Sequence, residues 1–162
     1  NKTIFLFVTL FGIGKLKRIP GTYASLATTI LLFFLFHILN TSVNIILTCV
    51  IIIFFISLYA VNIFIKDLDN KDPKEVVIDE FIGQSIPICL YEIAHESTKE
   101  TSQILSAYFI MFILFRIFDV IKPYPVSYYD KNFKNSFGVV MDDVCAGLYV
   151  VAVLILYMIM SA

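Results

Sequence analysis

The sequence contains no tryptophan, and only 15% of its 162 residues are charged. A typical soluble domain carries about 25% charged and about 45–50% apolar residues. This chain is 59% hydrophobic, with a mean hydropathy of +0.88. So few charges cannot cover a water-exposed surface, which excludes an ordinary soluble fold and implies an integral membrane protein. A net charge of −1 removes the basic footprint expected of a nucleic-acid-binding protein. The two histidines and three cysteines lack zinc-type spacing. Cys49, Cys89 and Cys145 each sit inside an apolar run and read as small buried hydrophobes. Without tryptophan, nine tyrosines are left to do most of the interfacial anchoring.

Long apolar runs are present instead. Residues 23–39, 43–65, 104–121 and 144–160 each approach the roughly 20 residues that cross a bilayer. A fifth stretch, 76–94, is shorter, opens with acids and contains Gly83, Gln84 and Pro87. By itself it fits a span, a re-entrant hairpin or an interfacial helix. The basic residues decide for a span. With five crossings and the N-terminus inside, every Lys and Arg except Lys99 falls on the inner side. Without that crossing, Arg116, Lys122, Lys131 and Lys134 would lie outside. The expected fold is all-α: a polytopic membrane bundle of about five transmembrane or membrane-embedded helices with an N-terminal interfacial segment, forming one domain over residues 1–162. The apolar run at 4–11 lacks a basic start and does not read as a cleavable signal peptide.

The same topology brings acids and bases to one face. Asp79-Glu80, Asp119 and Asp142-Asp143 all sit at or beside the edges of apolar stretches, where a carboxylate is costly unless something offsets it. Paired carboxylates at a membrane surface suit Mg²⁺. Adjacent helical residues point about 100° apart, so each pair can offer one direct ligand and one supporting or catalytic group. Helix N-capping is the plainer reading of Asp142-Asp143. Arg116 and Asp119, three apart, form either a simple salt bridge or a phosphate-binding Arg beside a metal-binding or catalytic Asp. Lys122 either snorkels or contacts phosphate. The segment GIGKLKRIPGTYAS at 12–25 is neither a Walker loop nor a full GxGxxG. It reads as a basic loop with a helix cap, or as an anion site at a helix N-terminus using Lys15, Arg18 and Thr22.

Two other signals carry little. Asp67-Leu68-Asp69 has the DxD form of haloacid-type phosphatases but follows a membrane span rather than a buried strand. His37 and His95 fall at outer helix ends, away from the basic motifs, so a histidine nucleophile is not indicated.

In this order, the motifs resemble the phosphatidylglycerophosphatase A family. The matching segments are IPGTYASL at 19–26, VVIDEFIG at 76–83, FRIFDVIKPYPV at 115–126, Asp130, and GVVMDDVCAG at 138–147. The family often has glycine where Ala24 stands and Gly-Gly where Asn135-Ser136 stand. The resemblance implies an Mg²⁺-dependent inner-membrane phosphatase that converts phosphatidylglycerophosphate to phosphatidylglycerol on the route to cardiolipin, with the active site facing the bacterial cytoplasm. Asp79, Glu80, Asp142 and Asp143 are the expected Mg²⁺ ligands, and Asp119, Asp142 and Asp143 the catalytic acids. Arg116, Lys122, Lys15, Arg18, Thr22 and Asp130 are expected to contact the phosphate or the rest of the substrate. Two other classes compete: a small cation transporter or channel subunit using the acids as an ion site, and a non-catalytic assembly factor in which the charges join helices.

Overall fold

The structure, a computed structural model, describes residues 2–70, 73–95 and 100–161. Seven α-helices follow one another among these residues: α1 (Lys2–Val8), α2 (Pro20–His37), α3 (Val43–Ile65), α4 (Ile78–Ala94), α5 (Thr101–Ile121), α6 (Val126–Asn132) and α7 (Ser136–Ser161), with a 3₁₀ turn at Ile13–Lys15. Helices α2, α3, α5 and α7 are long and apolar enough to cross a membrane. Their outward residues, among them Ile30, Ile51, Phe55, Phe109 and Leu156, stay exposed. Such a surface suits lipid, and helices suit it because they satisfy their own backbone groups.

Helix α4 differs. Its 17 residues span about 25 Å at 1.5 Å per residue, slightly less than the hydrocarbon core of about 30 Å. It packs against all four long helices and leaves large apolar side chains exposed only in its last turns, at Leu90 and Ile93. That position accounts for its composition: Asp79, Gln84 and Ser85 are buried in it beside Ile78, Ile82, Ile88 and Cys89. The crossing with α7 is close. A Cβ on Gly147 would lie 2.4 Å from the Gly83 carbonyl oxygen, and one on Gly83 would lie 2.6 Å from that of Asp143. Small residues permit this approach, as they do in membrane helix pairs generally.

Two apolar clusters flank α4. One joins Leu32 and Phe36 of α2 to Ile88, Tyr108, Met111, Phe115, Ala146 and Val150. The other joins Val8 to Ala60, Val61 and Ile65 of α3 and to Ile78, Ile82, Val139 and Val140. The N-terminal segment is thus docked rather than loose, and the Val77 N–H donates to the Val8 carbonyl at 3.0 Å. The glycine of the 3₁₀ turn serves this docking: a Cβ on Gly14 would meet the Glu75 carbonyl oxygen at 2.0 Å.

One expectation is corrected here. Helix α7 begins at Ser136, so Asp142 and Asp143 lie inside its second turn and do not cap it. Asn135 immediately precedes the helix, and its Oδ1 accepts the Gly138 N–H at 3.0 Å, the hydrogen bond of an N-cap. With that donor satisfied, the two acids are released from any capping role.

Candidate active site

The starts of α2 and α4, the end of α5 and the second turn of α7 meet at one end of the bundle. They enclose a cavity of about 360 Å³ whose lining includes Ile19, Pro20, Gly21, Lys74, Asp79, Glu80, Arg116, Asp119, Lys122, Asp142 and Asp143. All five acids expected from the sequence are present, drawn from three helices.

Within the cavity the acids divide. Asp79, Glu80 and Asp143 each offer a carboxylate oxygen within 4.8 Å of the others. Asp79 and Asp143 are buried, and Glu80 Oε2 has no hydrogen-bond partner among the described residues. Like charges this close and this poorly hydrated repel strongly, and their three oxygens are spaced so that they could hold a cation. Glu80 reaches it because α2 presents no side chain at Gly21, where a Cβ would fall 2.0 Å from Glu80 Oε1.

Asp142 turns elsewhere. Its Oδ2 pairs with Lys122 Nζ at 2.8 Å, and its Oδ1 accepts the Asp143 N–H at 2.8 Å. The 100° step between helical neighbours therefore separates the α7 pair, Asp143 toward the trio and Asp142 toward the lysine. On α4 both members of the pair join the trio. Lys122 also binds Asp130 of α6 at 2.5 Å. It ends α5 in a left-handed conformation, φ 49°, a geometry that costs a non-glycine residue about 1–2 kcal/mol and that its two carboxylate partners help to hold. Burial alone would lower the Lys122 ammonium, but Asp142 and Asp130 outweigh burial and raise it above its ordinary value. It stays charged at any physiological pH.

Arg116 pairs with Asp119 at 2.5 Å across i,i+3, and its Nη1 reaches the Ser25 hydroxyl of α2 at 3.5 Å. The salt bridge and the cavity position therefore hold together. Its Nε is buried and has no partner among the described residues.

Four expected residues, Lys15, Arg18, Thr22 and Asp130, do not line the cavity. Lys15 places its Nζ 4.6 Å from the Phe5 ring centroid, Arg18 is exposed and Thr22 is half-buried. The same segment contributes Ile19, Pro20 and Gly21 instead, and Lys74 is a basic residue the sequence reading did not single out. Asp69, set aside as part of a DxD decoy, lines a neighbouring cavity of about 280 Å³ together with Asp130, Lys134 and Asp142. The histidines prove to have partners, His37 with Glu92 at 3.1 Å and His95 with the Tyr91 carbonyl at 2.9 Å. Glu92 lies three turns beyond Glu80 on α4, about 18 Å away at 1.5 Å per residue.

Comparison with known proteins places the geometry in context. Residues 6–158 match the family model for phosphatidylglycerophosphatase A. A phosphatidylglycerophosphatase A of Haemophilus influenzae is 35% identical, covering 93% of this chain and 85% of the relative. The Escherichia coli phosphatidylglycerophosphatase A is 31% identical, covering 85% and 73% respectively. A candidate phosphatidylinositol-3-phosphatase of Bacteroides thetaiotaomicron is 33% identical, covering 89% and 86%. No solved structure matches.

Proposed function

Because the chain belongs to the phosphatidylglycerophosphatase A family of lipid phosphatases, we propose that it hydrolyses the phosphomonoester of phosphatidylglycerophosphate. The products are phosphatidylglycerol and inorganic phosphate, with phosphatidylglycerol leading on to cardiolipin. The observation that carries this reading is one cavity holding a three-carboxylate cluster beside Arg116 and Lys122. Acids alone would repel a phosphate and bases alone would not hold a cation; together they suit a metal-dependent phosphatase.

The donor set fits Mg²⁺. It is all oxygen, matching a hard cation, and it includes the unpartnered Glu80 Oε2. Asp79, Glu80 and Asp143 would hold the ion. When bound, Mg²⁺ supplies positive charge to the phosphoryl oxygens and acidifies water. The chain's own residues do the rest. Arg116 and Lys122 add fixed positive charge beside the phosphate. Asp142 and Asp130 keep the Lys122 ammonium in place. Asp119, aligned by Arg116, orients the attacking water. Water oxygen bonds to phosphorus, the bond from phosphorus to the glycerol oxygen breaks, and that oxygen leaves with a proton as the hydroxyl of phosphatidylglycerol. Positioning and charge neutralisation supply most of the catalysis in such transfers.

The site's place at the end of the bundle suits a lipid. Acyl chains stay in the bilayer while the headgroup enters the cavity, which avoids about 0.8 kcal/mol for each CH₂ drawn into water. The bias of basic residues supports a cytoplasmic-facing site in a bacterial inner membrane. A cation transporter would need ionisable groups along a path. Here the acids gather at one end, and Glu92 at the other is tied to His37 and Tyr108, which favours the enzyme.

The deciding assay incubates purified protein in vesicles with phosphatidylglycerophosphate, with Mg²⁺ and with EDTA, and measures released phosphate. Release only with Mg²⁺ is expected. Folded protein that releases none overturns the reading. Parallel arms with phosphatidic acid and phosphatidylinositol 3-phosphate measure headgroup preference.

A further inference from the structure

Every buried side-chain polar atom lacking a partner among the described residues belongs to Glu80, Arg116 or Gln84. The first two line the cavity. Gln84 does not, yet it is fully buried and neither Nε2 nor Oε1 of its amide has a partner. Leaving such groups unpaired is costly, so native proteins satisfy them with protein or with ordered water.

Its location follows from the helix period. Glu80, Gln84, Ile88 and Glu92 recur every four residues and form a stripe that winds about 40° around α4 at each step. At one end of that stripe, Glu80 abuts Gly21 of α2, with Arg116 of α5 beside it. At the other end, Glu92 binds His37 of α2 and Tyr108 of α5. Gln84 therefore lies between α2 and α5, one turn below Glu80. Helical side chains lean toward the N-terminus, which aims its amide back toward Glu80. On α2 the equivalent step runs from Gly21 to Ser25, and Ser25 is the hydroxyl that Arg116 reaches. The helix period thus puts the three sets of unpartnered atoms on the same α2–α5 side of α4, at and just beneath the carboxylate site. They comprise the amide N–H₂ of Gln84 and Nε–H of Arg116 as donors, and Gln84 Oε1 and Glu80 Oε2 as acceptors. This is the complement of bound water, which typically makes about three hydrogen bonds to such groups.

We propose that Gln84 is a positioning residue of the active site: with Arg116 it holds buried water against Glu80 and so fixes that carboxylate for the cation. The proposal rests on the phosphatase reading above and extends it to a residue beneath the cavity.

The test uses the full chain in vesicles. Gln84→Met keeps the volume and removes the amide. The expected result is a loss in kcat/KM of about 10–100-fold, the usual cost of removing a group that orients a metal ligand. It should come with a rise in half-saturating Mg²⁺ and no fall in the Tm of protein held in EDTA. The loss should shrink in an Arg116→Lys background, where the Nε–H is already gone. Unchanged kcat/KM and Mg²⁺ dependence would overturn the proposal. So would a fall in Tm accompanied by unchanged activity per folded molecule, since that marks a helix-joining role alone. If Gln84→Met does not fold, Gln84→Asn retains the amide on a shorter arm. It should fold and still raise half-saturating Mg²⁺, and an unchanged value there overturns the proposal equally. Wild-type phosphate release, measured alongside, separates failure of this inference from failure of the phosphatase reading.

Discussion

Asp142 and Asp143 are chemically identical neighbours with different partners. Asp143 shares a carboxylate cluster with Asp79 and Glu80, while Asp142 binds Lys122. Substitution should separate them. Asp143→Asn removes a charge that the cluster needs to hold a cation, and phosphate release should fall below detection. Asp142→Asn leaves Lys122 paired with Asp130, so a loss of about 10–100-fold is expected, as for a residue supporting others. Initial rates measure both, with membrane insertion as the control for folding; equal losses would contradict the division. Gly21 supplies a second prediction. Gly21→Ala improves helix propensity by about 1 kcal/mol but puts a Cβ 2.0 Å from Glu80 Oε1. Activity should drop while Tm holds or rises. The acids were legible in the sequence because carboxylates at membrane edges are rare enough to stand out. Gly21 was not, because no local pattern links a glycine on α2 to a carboxylate on α4.

At the scale of elements, α4 explains where sequence reasoning ran thin. Hydropathy reports exposure to lipid, and α4, packed against α2, α3, α5 and α7, has little until its last turns, where Leu90 and Ile93 are exposed. Its acids, Gln84 and Pro87 made residues 76–94 ambiguous by composition, and only the charge bias of the flanking segments pointed to a span. Helix α7 was read too short for a related reason: its first turns carry Asp142 and Asp143, which interrupt the apolar run without interrupting the helix. The α4–α7 crossing depends on Gly83 and Gly147. Gly147→Ala should cost about 1–3 kcal/mol, the usual penalty for overpacking, seen as a lower Tm in detergent. Gly83→Ala should in addition reduce activity, because its Cβ would press on the Asp143 carbonyl at 2.6 Å and displace the carboxylate beyond it.

The whole molecule places its chemistry at one end and a separate clamp at the other, with an apolar belt between. The clamp joins α2, α4 and α5 through His37, Glu92 and Tyr108, with Tyr108 donating to Glu92 Oε1 at 2.8 Å. The helix order alternates, since α2 and α4 both start at the site end, α5 finishes there, and α7 sets out from it; five crossings are the expectation this order sets. The loop containing Asn40 must then lie on the side away from the site, and the segment containing Asn135 on the same side as the site. Both residues are exposed and suit cysteine labelling with a membrane-impermeant thiol reagent, in a background where the native cysteines are replaced. In intact cells Asn40→Cys should label, and Asn135→Cys should label only after the membrane is opened. Labelling of both from one side would remove α4 as a crossing and, with it, the convergence of α5 and α7 on the acids of α4. The reverse pattern would keep the five helices and move the site to the outer face, against the bias of the basic residues.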